Sequence, residues 1–172
     1  MQGITGIEAV DAQFAESAGM KIKLLGRAIR QPENKVCAFV APHLVPAGNP
    51  IAGVEDVFNA IAVNGNAVGD TMFYGRGAGK LPTASAVVAD VADLARDLKR
   101  DHRNAWGPGA ADLVVSSDIL ASRWYIRTFA GVDAARQACG EIQLLARAGA
   151  PAGEVAFLTT AMTQPELKEK LG

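Results

Sequence analysis

The segment Gly75–Gly79, with the sequence Gly-Arg-Gly-Ala-Gly, is the strongest candidate for a ligand-binding element in this chain. It follows a run typical of a strand and precedes a long amphipathic helix whose first turn contains Pro82. A glycine-rich turn in front of a helix brings backbone amides and the positive end of the helix dipole close to a bound anion. The segment therefore predicts a phosphate-binding loop, or a tight turn that lets a ligand or a packed helix approach the backbone.

This segment does not complete the dinucleotide-binding fingerprint G-x-G-x-x-G. Gly75 and Gly77 fill the first two glycine positions, but Lys80 occupies the third. No strand that ends in an acidic residue follows about 20 residues later, where a ribose-binding carboxylate is expected. The motif alone therefore favours the tight turn.

The other residue types that could do chemistry form no recognisable constellation. His43 and His102 have no cysteine cluster beside them, so we expect no metal site. His43 lies in a proline-rich segment and is interpreted as a polar loop residue, with membership of a minor pocket as the alternative. Lys21 and Lys23 alternate with apolar residues and are expected on the solvent face of a strand. We assign no catalytic residue within the chain.

The N-terminal part of the chain predicts a helix and a hairpin. Thr5 and Glu8 have the spacing of a capping box, and Gly19 suits the position just past the end of a helix. Residues 21–30 and 36–40 read as the two strands of the hairpin, and the second is apolar on both faces. A strand of that kind needs to be covered on both sides.

A second hairpin and a long helix flank the glycine-rich segment. The prolines of 42–50 predict a loop, and Asn64-Gly65 predicts the type I′ turn of the second hairpin. The helix that follows has one apolar face, which comprises Ala84, Val87, Val88, Val91, Leu94, Ala95 and Leu98.

The C-terminal part predicts a linker and a small unit. The polar segment 101–112 is the linker, and strand, helix, strand and helix follow at 123–129, 134–148, 154–160 and 164–171. So short a unit buries little apolar surface by itself, so it is expected to rest on a neighbouring part of the protein.

Composition excludes several classes of function. Lys and Arg number 17 against 18 Asp and Glu, so no net charge recruits nucleic acid or a membrane surface. No apolar run is long enough to span a membrane. Cys37 and Cys139 lie far apart in unlike contexts, so we expect no disulfide and a cytoplasmic location.

Several blocks of the sequence, in the same order as in that family, resemble homoserine dehydrogenases. The resemblance covers roughly residues 3 to 100. The matching blocks are 19–26, 54–61, 68–70, 73–79 and 82–90.

The resemblance implies an enzyme that interconverts L-homoserine and L-aspartate 4-semialdehyde with NAD(P), in the pathway to threonine, isoleucine and methionine. Gly79 matches a glycine that lies against the coenzyme, and Gly77 and Ala78 match the same turn. The implied partners are a small-molecule substrate and further copies of the chain, in a dimer or a higher homo-oligomer. The expected fold is α+β, with a mixed, largely antiparallel sheet and helices packed on it. The expected divisions are a substrate-domain portion (1–100), the linker and a small α/β unit (113–172).

The sequence also departs from the family. The Rossmann glycine motif is absent, as is the segment that carries the catalytic lysine and aspartate and the cation ligands. We expect these upstream of Met1, and we expect the isolated chain to be inactive and to bind no coenzyme tightly.

The tail from Ser122 resembles an ACT regulatory domain. However, Ala130–Asp133 replaces the usual start of its first helix, and the stretch between Pro151 and Glu154 is expected to be too short for the middle strands. The alternative to an enzyme portion is a non-catalytic module that binds an amino acid or forms oligomers through this tail.

Overall fold

The computed structural model describes residues 3–99 and 107–172, which form four α-helices and eight β-strands. The α+β class with largely antiparallel sheets is confirmed. In chain order, the elements are α1 (Ala9–Ser17), β1 (Met20–Arg30), β2 (Val36–Pro46), β3 (Phe58–Gly65), β4 (Gly69–Arg76), α2 (Lys80–Arg96), β5 (Val114–Val115), β6 (Tyr125–Thr128), α3 (Gly131–Cys139), β7 (Ile142–Leu145), β8 (Val155–Thr159) and α4 (Gln164–Leu171).

The chain divides into two compact units that do not follow the order of the sequence. Unit 1 comprises Met1–Gly48 and Gly109–Gly172, and unit 2 comprises Asn49–Pro108. The division expected from the family, at 1–100 and 113–172, stays a prediction. Residues 100–106, which include the first half of the predicted linker, lie outside the described residues. In the described part of the chain, no helix is long and apolar enough to cross a membrane.

Helix α1 begins later than the sequence predicts. The predicted capping box placed its start just after Thr5, but the helix begins at Ala9. Asp11 supplies the side chain that closes the first turn, because its carboxylate accepts a hydrogen bond of 2.8 Å from the amide of Glu8. Gly19 lies past the end of the helix with φ of +69°, as predicted, and leads directly into β1.

Strand β2 extends through the prolines that were expected to form a loop. Val36 donates its amide to Leu113, on the side of β5 and away from β1. The even-numbered positions of β2 therefore direct their amides away from β1, and Pro42 and Pro46 occupy two of them. Since neither proline position would donate to β1, the β1–β2 pairing continues through both.

The C-terminal sheet in unit 1 has the order β6-β8-β7, and all its pairs are antiparallel. The helix predicted over 134–148 is wrong beyond its first part, because α3 ends at Cys139 and Gly140 follows with φ of +78°. The remaining residues of the predicted helix include β7, whose pattern of apolar residues is too short to separate a strand from a helix. Strands β7 and β8 thus both lie between α3 and α4, where the chain was expected from its sequence to be too short for two strands.

Strand β8 is buried on both faces and joins two hydrophobic clusters of unit 1. On one face Ala156 and Leu158 pack with Phe14 of α1 and Leu145 of β7. On the other face Phe157 packs against α3. Burying a phenylalanine side chain such as Phe14 stabilises the fold by about 2–3 kcal/mol. As predicted, the small C-terminal part rests on a neighbour, which is the N-terminal helix.

Unit 2 consists of the β3–β4 hairpin, helix α2 and a short 3-10 turn at Pro50–Gly53. The predicted turn at Asn64-Gly65 is wrong, because Gly65 pairs with Gly69 and residues 66–68 form the turn. Gly69 has φ of +77°, which suits the residue that closes a three-residue hairpin loop.

The apolar surfaces of unit 2 are largely exposed. Ala52 is the only buried apolar residue of this unit among the described residues. On α2, Val87, Val88 and Val91 are 56–66% exposed, although they lie on one face of the helix. An apolar stripe of this kind indicates a surface that another part of a protein covers.

Candidate functional site: the glycine loop before helix α2

The glycine loop, which we define as residues Gly75–Gly79, connects β4 to the N-terminus of α2. All of its residues are exposed. Gly79 occupies the N-cap position of α2 and has no side chain to cap the helix. The first amides of a helix have no acceptor within the helix, so this end presents donors and a positive dipole to an approaching anion.

The backbone of Gly79 is open only to glycine in practice. Its φ is +121° and its ψ is 158°, a combination that strains any residue with a side chain. A Cβ at this position would lie 3.6 Å from Cδ of Pro82, which is ordinary contact. A substitution would therefore act through backbone strain and not through a clash, so it would also affect stability.

Gly77 lies against the end of a side chain on the hairpin. A Cβ at this position would lie 2.2 Å from Nδ2 and 3.1 Å from Cγ of Asn59 on the neighbouring strand β3. A larger residue at 77 would therefore oblige the exposed end of the Asn59 side chain to move. A Cβ added at Gly75, two residues earlier, would meet no atom within 4 Å.

A stack of side chains fixes the start of the loop. The rings of Phe58 and Tyr74 are parallel within 9°, with centroids 4.9 Å apart. The guanidinium carbon of Arg76 lies 5.0 Å from the centroid of the Phe58 ring. Arg76 is directly opposite Phe58 in the β3–β4 register, so the contact follows from strand pairing.

The structure places the three expected coenzyme-binding residues together, since Gly77, Ala78 and Gly79 form one exposed turn before α2. Whether they bind a coenzyme stays a prediction. His43 lies in β2 of unit 1 and not in a loop, and His102 lies outside the described residues. Among the described residues, no group of three or more His, Cys, Asp or Glu side chains could hold a metal ion.

A buried network of charges in unit 1 was not predicted from the sequence. Asp11 of α1, only 4% exposed, accepts hydrogen bonds of 2.8 Å from the Tyr125 hydroxyl and from Nε of Arg127. Arg127 also pairs with Glu8 and, at 3.5 Å, with Glu154. The network holds the N-terminal helix on the C-terminal sheet.

The protonation of this network follows from its geometry. Burial alone would raise the pKa of the Asp11 carboxyl, but hydrogen bonds from the Glu8 amide, Tyr125 and Arg127, with the charge of Arg127, hold that pKa below its usual range. Burial and the neighbouring Asp11 carboxylate raise the pKa of Tyr125, so its hydroxyl stays a donor. Asp11 lies more than 100 positions from Tyr125 and Arg127 in the sequence, so no sequence pattern reveals these contacts.

Comparison with known proteins identifies the family. The family model for homoserine dehydrogenase matches residues 1–92. The homoserine dehydrogenase of Neisseria gonorrhoeae is 40% identical over 134 residues, which are 74% of this chain and 31% of the relative. That of Pseudomonas aeruginosa is 45% identical over 103 residues, which are 60% of this chain and 24% of the relative.

Solved structures agree with this match. A homoserine dehydrogenase from Thiobacillus denitrificans superposes with a TM-score of 0.76 at 31% identity, over 98% of this chain and 42% of that chain. The S. aureus homoserine dehydrogenase at pH 7.5 gives a TM-score of 0.72 at 30% identity, over 99% of this chain and 44% of that chain. The chain spans at most about a third of the length of these curated relatives. It belongs to the homoserine dehydrogenase family.

Proposed function

We propose that this chain supplies the substrate-domain and coenzyme-facing portion of a homoserine dehydrogenase, the NAD(P)-dependent oxidoreductase that interconverts L-homoserine and L-aspartate 4-semialdehyde. The observation that carries the proposal is the glycine loop, which lies inside the family match and stands before the uncapped N-terminus of α2. The same assignment makes the protein an enzyme of amino-acid biosynthesis in the cytoplasm.

The glycine loop has the features that a dinucleotide would need. Gly77 to Gly79 are exposed, and Gly79 has no side chain above the first turn of α2. A nicotinamide coenzyme supplies the hydride acceptor and donor for the alcohol–aldehyde interconversion. The loop residues contribute position and backbone amides, which favour the negative charge of a pyrophosphate.

The exposed face of α2 would pack against the coenzyme-binding domain of the intact enzyme. Leu94 at 48% and Val88 at 66% are exposed at the two edges of this face. The relatives are longer than the matched segment, so their remaining length offers a partner for the face. This contact would hold the glycine loop against the bound coenzyme.

The β3–β4 hairpin is the proposed surface for pairing between copies of the chain. Ile61, Val63 and Phe73 share one face of the hairpin and are 46–68% exposed. Their neighbours on that face, Asn59 and Thr71, carry no charge, so two such faces meet without burying an ion. A homodimer is therefore the simplest expected assembly.

We further propose that the C-terminal part is ACT-like. Its elements β6, α3, β7, β8 and α4 follow the order of the first five elements of a β-α-β-β-α-β unit. One face of its sheet packs on α1, through Phe14, and is not available to an effector. Any amino-acid binding by this part would have to use another surface.

The isolated polypeptide is proposed to be inactive. The acid–base residues of the family match no position in this sequence, and hydride transfer requires a coenzyme held in reactive geometry beside a proton acceptor. By itself, the glycine loop could contact only one side of a coenzyme.

The role of the loop can be tested in an enzyme made by joining this chain to all of the Neisseria gonorrhoeae relative that lies outside the matched segment. Gly79→Ala should raise the coenzyme KM by about tenfold or more, because the altered backbone moves the donors of α2. Gly75→Ala is the matched control, since its Cβ meets nothing within 4 Å. An unchanged coenzyme KM in a folded Gly79→Ala enzyme would show that the loop does not contact the coenzyme.

A further inference from the structure

A cleft of about 590 Å³ lies within unit 1, beside the outer edge of β2. One wall is β2 with Arg27 of β1, and the other is the segment 117–124 that leads into the C-terminal sheet. Met20, Leu44 and Leu158 contribute apolar surface, and all three also belong to the hydrophobic cluster around Phe14. The volume is typical of sites for small molecules.

The outer edge of β2 is unsuited to another strand. Strand β5 pairs with β2 only at Val36 and Cys37, and among the described residues no strand pairs with this edge beyond them. Pro42 and Pro46 remove two of the amides that an added strand would need. The cleft is therefore better suited to a small molecule than to a peptide strand.

The β2 wall carries a positive charge and a hydrogen-bond acceptor. The Arg27 guanidinium lies 5.9 Å from the centroid of Phe39, whose ring stacks on His43 at 5.8 Å. Nδ1 of His43 lies 2.8 Å from the carbonyl oxygen of Ala41, which can only accept, so Nδ1 carries the proton. Burial and the charge of Arg27 lower the pKa of His43, which keeps the ring neutral and leaves Nε2 as an acceptor.

The opposite wall is held in place by hydrogen bonds to the C-terminal sheet. Trp124 donates its indole N–H to the carbonyl of Met162 at 2.9 Å, and Arg123 donates from Nε to the carbonyl of Thr159 at 3.1 Å. Asp118, on the same wall, adds a carboxylate. With His43 neutral, two arginines against one aspartate leave the lining with a net charge of +1.

We propose that this cleft binds a small carboxylic acid that also carries an amino or hydroxyl donor. Arg27 receives the carboxylate, because a guanidinium matches its geometry with two parallel hydrogen bonds. His43 Nε2 and Asp118 accept from the donor group. The proposal uses no residue of the glycine loop, so it stands independently of the function proposed above.

The test is calorimetry on the polypeptide with three four-carbon acids that differ at one carbon: L-malate, L-aspartate and succinate. L-malate or L-aspartate should bind saturably, and succinate at least about tenfold more weakly, because it lacks the donor. Preference for L-aspartate assigns the donor to an amine read by Asp118, and preference for L-malate assigns it to a hydroxyl read by His43. Equal binding of succinate, or no saturable binding of any acid at about 10 mM, would overturn the proposal.

Variants place the binding in the cleft. Arg27→Gln and His43→Phe should each weaken binding about tenfold, and the phenylalanine keeps an aromatic ring against Phe39. Arg30→Gln is the control, since Arg30 is outside the cleft and bonds Asn34 in the hairpin turn. The His43 ring proton should also shift saturably with the acid in the unaltered protein, which tests the site if a variant fails to fold. Binding that both variants and the ring proton leave unaffected would contradict the site.

Discussion

Asn59 and Gly77 show how a side chain on one strand can lie over the residue that follows the next strand. The amide of Asn59 fills the space above Gly77, so the loop conformation and the asparagine are matched to each other. A glycine in this position could be singled out from the sequence, but its partner could not. The register of β3 and β4, which sets the partner, depends on a turn that lies at 66–68 and not at the Asn-Gly pair.

Gly77→Ala should disturb the loop, and Asn59→Ala should relieve the disturbance. We expect Gly77→Ala to destabilise the hairpin by no more than about 1 kcal/mol, because the new Cβ displaces only the exposed end of the Asn59 side chain. In the Asn59→Ala background the same change should have little effect, as a double-mutant cycle in urea would measure. Additive effects of the two changes would contradict the contact.

Asp11 should make the stability of the protein sensitive to acid. Its pKa in the folded state lies below the ordinary value of 3.8, so the stability it contributes is present above that value. This stability is lost as the pH falls through the lower, folded-state pKa. In urea unfolding between pH 5 and 2, Asp11→Asn should flatten the acid-induced loss, whereas the exposed Asp133→Asn should not. An identical pH profile for Asp11→Asn and the parent would refute the network.

At the scale of elements, the periodicity of apolar residues predicted the helices that the local sequence defines. The bounds of strands such as β2 and β7 depend on which segments pair, and periodicity does not show that. The long helix α2 and the short helix α4 are close to expectation, because a proline in the first turn and a helical pattern define each of them locally. The chain from Pro42 to Pro46 was expected to be a loop, because prolines usually interrupt the pairing of strands. Here the proline nitrogens point away from β1, and that direction is known only once the strand that pairs with β2 is known. Strand β7 was assigned to the helix before it, because its pairing with β8 is not visible in the sequence.

The exposed face of α2 gives a prediction about this element. Val91→Asp should leave the melting temperature of the isolated polypeptide nearly unchanged, since Val91 is 60% exposed. In the joined enzyme the same change should destabilise the protein by roughly 2 kcal/mol or more, because it buries an unpaired charge. Ala89→Asp, on the opposite side of the helix, is the control. Equal melting temperatures for the joined enzyme and its Val91→Asp variant would mean that nothing covers this face.

At the scale of the whole molecule, the sequence predicted the family and fold class but not the interleaving of the compact units. Unit 1 combines both ends of the described chain, because Phe14 packs under β8 and Asp11 bonds β6. Contacts between segments so far apart leave no periodic signal. The coenzyme role of the glycine loop rested on resemblance, since spacing alone did not separate a ligand loop from a tight turn.

Association through the β3–β4 hairpin is testable by light scattering at tens of micromolar. We expect the parent polypeptide to be a dimer and Phe73→Asp to be a monomer, because two hairpin faces would then bury opposed carboxylates. Val68→Asp, at the tip of the hairpin, should remain a dimer, since Val68 is 78% exposed outside the paired face. A monomeric parent, or a dimeric Phe73→Asp variant, would move the subunit contact elsewhere.

The most direct test of the proposed function is homoserine-dependent reduction of NAD or NADP. The assay compares the isolated polypeptide with the same polypeptide joined to all of the Neisseria gonorrhoeae relative that lies outside the matched segment, so that both the coenzyme-binding domain and the acid–base residues are included. We predict no reduction above a protein-free control for the isolated polypeptide and steady turnover for the joined enzyme, because only the latter holds coenzyme and acid–base groups beside the glycine loop. Turnover by the isolated polypeptide, or a folded joined enzyme that binds coenzyme but does not oxidise homoserine, would contradict the account.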